Sequence, residues 1–144
     1  MEIFKITDAA DLEKAFSIRK EVFVEEQHVP IEEEIDAYDT LDGECEHVLL
    51  TKDGQAVGTG RVRLVDDYGK IQRVAIRLTE RKHGYGKVII QKLEELAAAR
   101  GATKAKLDAQ VHAIGFYEKL GYTVQSDVFM DAGIEHVLMT KSLH

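Results

Sequence analysis

The stretch Val74-Ala-Ile-Arg-Leu-Thr-Glu-Arg-Lys-His-Gly-Tyr-Gly-Lys87 decides the fold class. It begins as a short apolar run, which predicts a buried strand, and ends as a basic loop containing two glycines. Residues 88–101 then predict a long helix, because apolar side chains recur there at helical spacing and Arg100-Gly101 is a typical C-terminal stop. The stretch therefore predicts a strand, a glycine-containing loop and a helix in succession.

The start of that helix is a candidate anion-binding site. First-turn N–H groups lack intrahelical partners and carry partial positive charge, and glycines let a ligand approach the backbone. The pattern Arg81-x-x-Gly84-x-Gly86 lacks the lysine and spacing of an ATP P-loop, and it also lacks the spacing of a dinucleotide fingerprint. The loop therefore suits a phosphate-bearing ligand of another kind.

These residues resemble the acetyl-CoA signature of the GCN5-related N-acetyltransferase (GNAT) superfamily. Val74 and Ile76 fill its strand positions, and Arg81, Gly84 and Gly86 fill its loop. The resemblance implies that backbone N–H groups of the loop hold the CoA pyrophosphate and that the strand backbone pairs with the pantetheine arm. The cofactor-binding residues implied here are Val74, Ile76, Arg81, Lys82, His83, Gly84, Tyr85, Gly86 and Lys87.

A second block supports the same family. Residues 110–122, Gln-Val-His-Ala-Ile-Gly-Phe-Tyr-Glu-Lys-Leu-Gly-Tyr, resemble the superfamily's Asn-x-x-Ala-x-x-Phe-Tyr-Glu-Lys-x-Gly-Phe, with Gln110 replacing Asn. The resemblance adds Gln110 and Phe116 to the implied cofactor-binding residues. Residues 18–27, followed by Pro30, Asp36 and Asp39, resemble the ElaA/YjcF-like branch of the superfamily.

The predicted fold is a mixed α/β domain over residues 1–144. Hairpin signals come early, as at Asp53-Gly54, and helical crossovers later, which predicts a mixed sheet with helices on both faces. A helix is expected from Thr7 or Asp8 through about Glu25, and residues 122–130 and 135–141 are expected to close the sheet as an antiparallel pair. The family resemblance implies six to seven mostly antiparallel strands and a splayed parallel pair that admits the pantetheine arm.

Composition excludes several classes of protein. Hydrophobic residues at 44% and charged residues at 31% are ordinary for a soluble globular protein, and no run approaches the ~20 apolar residues of a membrane span. The N-terminus shows no secretory segment and the single cysteine cannot form an internal disulfide, so a cytoplasmic location is expected. A net charge of −7 disfavours nonspecific nucleic-acid binding. The oligomeric state is open, with a homodimer as one candidate.

Charge is unevenly distributed along the chain. Residues 25–46 hold ten acidic side chains and no Lys or Arg, whereas residues 70–92 hold seven basic side chains and one acidic. One interpretation is two solvated surfaces. The other is a basic pocket for an anionic cofactor beside an acidic mouth that attracts a cationic acceptor.

Acetyl transfer from a thioester to an amine requires a neutral amine, a polarised carbonyl and a proton for the departing thiolate. Tyr117 is the candidate proton donor, because a phenol keeps its proton at neutral pH. The alternative is that Tyr117 belongs to a core stripe with Ala113, Phe116 and Leu120.

The general base is left open. A water chain is one candidate, and the other candidates are Glu26, Asp36, Asp39, Glu46, His47 and His112. His112 is placed second to Tyr117 as a catalytic candidate because it adjoins the short helix near the CoA wedge, although it could instead cap that helix. Arg19 is expected to pair with the acidic loop. The histidine spacing gives no metal site.

The function expected from the resemblance is acetyl-CoA-dependent N-acetylation of a primary amine on a small molecule or peptide, by direct transfer in a ternary complex. Acetyl-CoA is the expected co-substrate and no metal is required. The alternative is a non-catalytic module that binds acyl-CoA.

Overall fold

The computed structural model of the chain describes residues 1–143. Over that range the sheet has eight strands, which are β1 (Glu2–Lys5), β2 (Glu46–Lys52), β3 (Gln55–Val65), β4 (Tyr68–Ile76), β5 (Lys104–Gln110), β6 (Thr123–Val124), β7 (Phe129–Asp131) and β8 (Ile134–Ser142). The helices are α1 (Ala9–Arg19), which continues as a π-helix (Lys20–Glu26), then α2 (Ile31–Glu34), α3 (Tyr85–Ala99) and α4 (Ile114–Lys119). Short 3₁₀ turns occupy Leu78–Glu80 and Val111–Ala113.

The sheet is mixed and mostly antiparallel, as expected. Its strand order is β1-β2-β3-β4-β5-β8-β6, with β7 also paired to β8, and β4 and β5 form the parallel pair. The expected strand over residues 122–130 is instead two short strands. They are separate because the Leu138 N–H donates to the Ser126 hydroxyl at 2.9 Å rather than continuing the backbone ladder. The described residues therefore have one strand more than the upper end of the expected range.

Helices cover both faces of the sheet, which confirms the layer prediction. Neighbouring residues of β2 point to opposite sides, so Val48 and Leu50 pack in the cluster with α3, whereas Leu49 packs in the cluster with α1. We call these sides the α3 face and the α1 face. Helix α3 lies close to the sheet at Gly60, where a Cβ would collide with Leu93 and Ile89. The absence of a side chain at Gly60 therefore permits this close packing.

The first helix begins where the sequence indicates. The Asp8 carboxylate accepts from the Asp11 N–H at 2.8 Å and so caps α1. The chain stays helical to Glu26, but its last seven residues form a π-helix. No helix within residues 1–143 is long and apolar enough to cross a membrane.

The parallel pair separates along its length. Strands β4 and β5 pair only from Tyr68–Ile71 with Lys104–Leu107, and both strands continue beyond that point without pairing to each other. At the same place the register of β4 against β3 shifts, and Arg73 has a positive φ of 59°. A bulge of this kind bends a strand away from its neighbour. The predicted splayed pair is confirmed, with the bulge as its local cause.

Candidate active site

The wedge between β4 and β5 exposes backbone groups of β4. The Arg77 N–H donates to the Val57 carbonyl on β3 at 2.9 Å. Because backbone groups alternate in direction along a strand, those of Val74 and Ile76 point the other way, toward β5. The Ile76 carbonyl accepts from Arg81 Nε at 3.0 Å. The two residues selected from the sequence therefore line the wedge with their backbone, while their side chains pack toward α3.

The loop before α3 is fixed by the side chain of Arg81. Its guanidinium donates to both carboxylate oxygens of Glu26, at 2.7 and 2.8 Å, in addition to the Ile76 carbonyl. This contact lowers the pKa of Glu26 through the hydrogen bond and the charge of Arg81, against a smaller effect of burial. Arg81 thus anchors the loop to the end of the π-helix, which the sequence did not predict.

The loop presents a shallow backbone cradle. Lys82 and Gly84 have positive φ values of 71° and 79°, and α3 begins immediately afterwards at Tyr85. The side chains around this turn are solvent-exposed at Lys82, His83 and Lys87. A Cβ at Gly84 would meet no neighbouring atom, so it is the positive φ that favours glycine there. The cradle fits a phosphate group held by N–H groups.

Gly86 has a different reason to be glycine. A Cβ at this position would lie 3.0 Å from Cζ of Phe116 on α4. The ring of Phe116 therefore rests on the first turn of α3, although the residue is 40% exposed. Two elements that are distant in sequence, α3 and α4, meet at this contact beside the wedge.

Tyr117 has a packed ring and a hydroxyl that makes no hydrogen bond to any residue the structure describes. The ring contacts those of Phe116 and Tyr122, with centroids 5.0 and 5.9 Å apart. Burial raises the pKa of Tyr117 to about 12, so the phenol keeps its proton over the neutral range. The core-stripe interpretation of the ring and the proton-donor interpretation of the hydroxyl are compatible in this geometry.

A chain of hydrogen-bonded polar side chains borders the mouth of the wedge. Gln110, at the end of β5, donates through Nε2 to Gln27 Oε1 at 2.8 Å. His112 Nε2 lies 2.7 Å from Gln110 Oε1 in a second hydrogen bond. Gln27 follows the π-helix, so the chain connects the α1 layer to β5 across the opening. His112 is exposed and shares no hydrogen bond with Tyr117 within residues 1–143.

Comparison with known proteins agrees with this geometry. The acetyltransferase (GNAT) domain family matches residues 7–143. The chain belongs to the GNAT family. It is 46% identical to the uncharacterized N-acetyltransferase YjcF of Bacillus subtilis over 131 residues, which cover 90% of this chain and 91% of YjcF. The family resemblance of both sequence blocks is thereby confirmed.

Solved structures place the chain within the same GNAT fold. Escherichia coli ElaA superposes with a TM-score of 0.85 at 26% identity, covering 97% of this chain and 98% of ElaA. An aminoglycoside 6′-N-acetyltransferase complexed with coenzyme A superposes with a TM-score of 0.81 over 100% of this chain and 98% of its own, at 16% identity. The first comparison supports the ElaA/YjcF-like branch, and the second is a likeness of fold.

Most of the candidate bases are occupied by structural contacts. Asp39 lies within hydrogen-bond distance of Arg19 at 2.6 Å and of Arg61 at 2.8 Å. Burial opposes ionisation of Asp39, but these contacts prevail and hold its pKa well below the usual range. Asp36 also pairs with Arg61 and has a lowered pKa. A carboxylate with a depressed pKa is a weak proton acceptor at neutral pH, so neither fits the role of base.

Three of the four remaining candidates for the base are also occupied by structural contacts. Glu26 pairs with Arg81 and Glu46 pairs with Lys5 at 3.5 Å. His47 is buried, its Nε2 lies 3.1 Å from the Tyr38 carbonyl, and burial lowers its pKa. Of the six sequence candidates, His112 is the one that is exposed and forms no ion pair within the described residues.

A buried ion network holds the acidic loop against the sheet. Arg19 pairs with Glu34 and Asp39, which confirms its expected partner. Arg61 of β3 and Arg73 of the β4 bulge complete the network, and Arg73 contacts Glu34 at 3.2 Å. Sequence reasoning missed both arginines. The signal that could have identified Arg61 was its place as a basic residue among apolar residues in β3, where the fold buries it.

The expected acidic mouth is narrower than the charge count indicates. Five of the ten carboxylates in residues 25–46 are engaged in ion pairs with Lys or Arg, namely Glu26, Glu34, Asp36, Asp39 and Glu46. Neutralising Glu34 would therefore disturb a buried ion pair rather than a free surface charge. Within residues 1–143 no group of three or more His, Cys, Asp or Glu side chains is arranged to hold a metal ion.

Proposed function

We propose that this protein is an acetyl-CoA-dependent N-acetyltransferase that acetylates a primary amine of a small molecule or peptide, by direct transfer in a ternary complex within one domain. The observation that carries the proposal is the wedge between β4 and β5, which opens at the Arg73 bulge and ends at the N-terminus of α3. Family membership over residues 7–143 supports the reaction class.

Residues around the wedge have complementary roles in this proposal. The backbone of residues 82–87 holds the pyrophosphate, and the outward-facing backbone groups of Val74 and Ile76 pair with the pantetheine arm. Phe116, packed on Gly86, supports the first turn of α3. Gln110 and its partner Gln27 bound the opening on the α1 side. Acetyl-CoA supplies an activated acyl group as a thioester.

The transfer step follows from these positions. The neutral amine nitrogen forms a bond to the thioester carbonyl carbon, the carbon–sulfur bond breaks, and the electron pair leaves on sulfur. Tyr117 gives its proton to that sulfur, since its hydroxyl has no partner within the described chain and stays protonated. The proton lost by the amine passes to His112, directly or through water, because His112 lies at the mouth of the wedge.

Two measurements on the wild-type protein test this function. Calorimetry with CoA tests binding, and acetyl-CoA consumption against a panel of amines, with mass detection of the products, tests turnover. We expect both to be positive. Binding without turnover across the panel would support the alternative of an acyl-CoA-binding module, and absence of CoA binding would contradict both.

A further inference from the structure

A row of basic side chains crosses the α1 face of the sheet. Arg63 on β3 lies directly opposite Lys70 on β4, and Lys70 lies beside Lys106 on β5. Residues paired in this way project to the same face, and neighbouring strands are about 4.8 Å apart. We call Arg63, Lys70 and Lys106 the basic row. Thr140 on β8 pairs with Lys106 and extends the row with a hydroxyl.

The basic row is not neutralised by a contacting carboxylate. None of its three side chains forms an ion pair within residues 1–143, where the salt bridges use other Lys and Arg residues. The carboxylates closest to it along the strands are Asp108, two residues after Lys106, and the turn residues Asp66 and Asp67, all of which are solvent-exposed. No carboxylate of the described residues pairs with the row, and the buried Nε of Arg63 has no hydrogen-bond partner there.

Aromatic rings hold these cations in place. The Tyr68 ring lies under Lys106, with Nζ 4.9 Å from the centroid, and the Tyr38 ring lies under Arg63 at 4.5 Å. A cation–π contact orients a charge without neutralising it. Like charges directly opposite each other destabilise a sheet. A bound anion would reduce the repulsion between Arg63, Lys70 and Lys106.

The basic row lies next to the point where the strands part. Ile71 and Leu107 form the last pair of β4 and β5, and Lys70 and Lys106 form the pair before it. Leu107 and Ala109 face the core with α3. Side chains alternate along a strand, so Lys106 and Asp108 lie on the α1 face. Helices α3 and α4 cover the α3 face, whereas on the α1 face helix α1 packs on β2, β3 and β4. An acceptor therefore approaches the wedge on the α1 face beside β5, over the basic row.

We infer that the acceptor is a primary amine that also carries a carboxylate or phosphate group, and that Lys70 and Lys106, with Arg63, bind this anionic group. The inference rests on the proposed acetyltransferase function and names its substrate class. It replaces the cationic acceptor expected from the charge pattern, because the arginines of the buried network neutralise the inner part of the acidic segment. The reactive amine then points from the row toward the wedge.

Matched pairs of amines test the inference. Amino acids are compared with the amines formed by their decarboxylation, and phosphoethanolamine with ethanolamine, so that each pair differs in the anionic group. A charge-assisted contact that one member lacks predicts a kcat/KM at least about 10-fold higher for the anionic member of the preferred pair. The two kinds of pair separate a carboxylate from a phosphate as the recognised group.

Variants of the row give the second readout. Lys106→Gln and Lys70→Gln should raise the KM for the anionic acceptor about 10-fold and leave the KM for acetyl-CoA unchanged. Lys104→Gln is the matched control, because it removes a lysine from the same strand one row farther from the wedge. Lys70→Gln should maintain or raise the melting temperature, since it removes repulsion without removing a cation–π contact, whereas a purely structural role of Lys70 would lower it.

The outcomes separate this inference from the proposed function. A wild-type protein that does not bind CoA contradicts the proposed function. With CoA binding intact, equal or better use of the neutral amines overturns the inference alone. The inference is also overturned if Lys106→Gln keeps the wild-type preference for the anionic amines. It is overturned as well if none of the anionic amines is acetylated and none raises the melting temperature of the CoA complex.

Discussion

At the scale of single residues, neighbouring groups in the site have different physical roles. Tyr117 packs its ring against Tyr122 while its hydroxyl stays without a partner in the described chain. Gly84 supplies a left-handed backbone turn, whereas Gly86 supplies space for the ring of Phe116. The two glycines of the sequence motif are therefore required for separate physical reasons.

Tyr117→Phe tests the proton donor. The variant keeps the ring and removes the hydroxyl, so turnover should fall about 10²–10⁴-fold, which is the usual contribution of a positioned acid. CoA affinity by calorimetry and the melting temperature should stay near wild type. Full turnover in the variant, under conditions where the chemical step limits the rate, would leave Tyr117 with a packing role only.

Gly86→Val separates ligand access from packing. The larger side chain should weaken CoA binding by blocking the backbone of α3, and overpacking against Phe116 should cost about 1–3 kcal/mol of stability. Adding Phe116→Ala should relieve the loss of stability but not the loss of affinity, and Phe116→Ala alone serves as the control. If the double variant recovered CoA affinity, Gly86 would matter only for the contact with Phe116.

At the scale of elements, the π-helix is the segment of the α1 layer that borders the wedge. Its end is tied to the loop before α3 by Glu26 and Arg81, and to the end of β5 by Gln27 and Gln110. Both contacts join segments that are more than fifty residues apart in sequence, as their separations of 55 and 83 residues show. The position of this segment therefore depends on side-chain contacts at its last turn, which makes it sensitive to their loss.

Glu26→Gln combined with Gln27→Ala should loosen this segment. Amide hydrogen exchange measured by mass spectrometry should become faster in residues 20–27 and 81–83, because local opening loses two of the contacts that oppose it. Exchange in the middle of α3 should not change. Glu25→Gln is the control, since Glu25 is exposed. Unchanged exchange in the double variant would mean that packing alone holds the π-helix.

At the scale of the whole molecule, a buried ion network connects the α1 layer to the sheet. Arg19, Arg61 and Arg73 face Glu34, Asp36 and Asp39, so three positive and three negative groups balance. Removing one partner of such a network leaves a buried charge uncompensated and typically costs about 3–5 kcal/mol. The network therefore couples the acidic loop to the bulge that opens the wedge.

Asp39→Asn tests this coupling. The variant should lose about 3–5 kcal/mol of unfolding free energy in denaturant titrations, whereas Asp42→Asn, on the exposed part of the same loop, should change it by less than about 0.5 kcal/mol. A loss for Asp39→Asn as small as that for Asp42→Asn would mean that solvent screens the network.

The same aspartate predicts a pH dependence. The folded pKa of Asp39 lies below its unfolded value of about 3.9, so its stabilisation is present above about pH 4 and is lost as pH falls toward the folded pKa. The stability difference between wild type and Asp39→Asn should therefore shrink below pH 4, as measured by denaturant titration at a series of pH values. A difference that stays constant from pH 6 to pH 3, about one unit below the unfolded pKa, would contradict the assignment.

The sequence by itself determined the local parts of this protein. The strand, loop and helix around residues 74–101 and the Asp8 cap could be predicted, because apolar spacing, glycines and capping residues act over a few neighbouring positions. The two family blocks predicted the mixed sheet and the splayed pair through resemblance. The candidate cofactor loop was also located in this way, although the roles of its residues stay a prediction.

Only the tertiary structure decided which charges meet. Arg61 and Arg73 reach the acidic loop, and Lys70 reaches Lys106, through pairings between segments far apart in sequence. Strand register fixes these neighbours, and a shift of one residue at the Arg73 bulge changes which side chains share a face. A count of acidic and basic residues along the chain carries no register. It therefore predicted an acidic mouth where the folded chain pairs half of those carboxylates and leaves the basic row free.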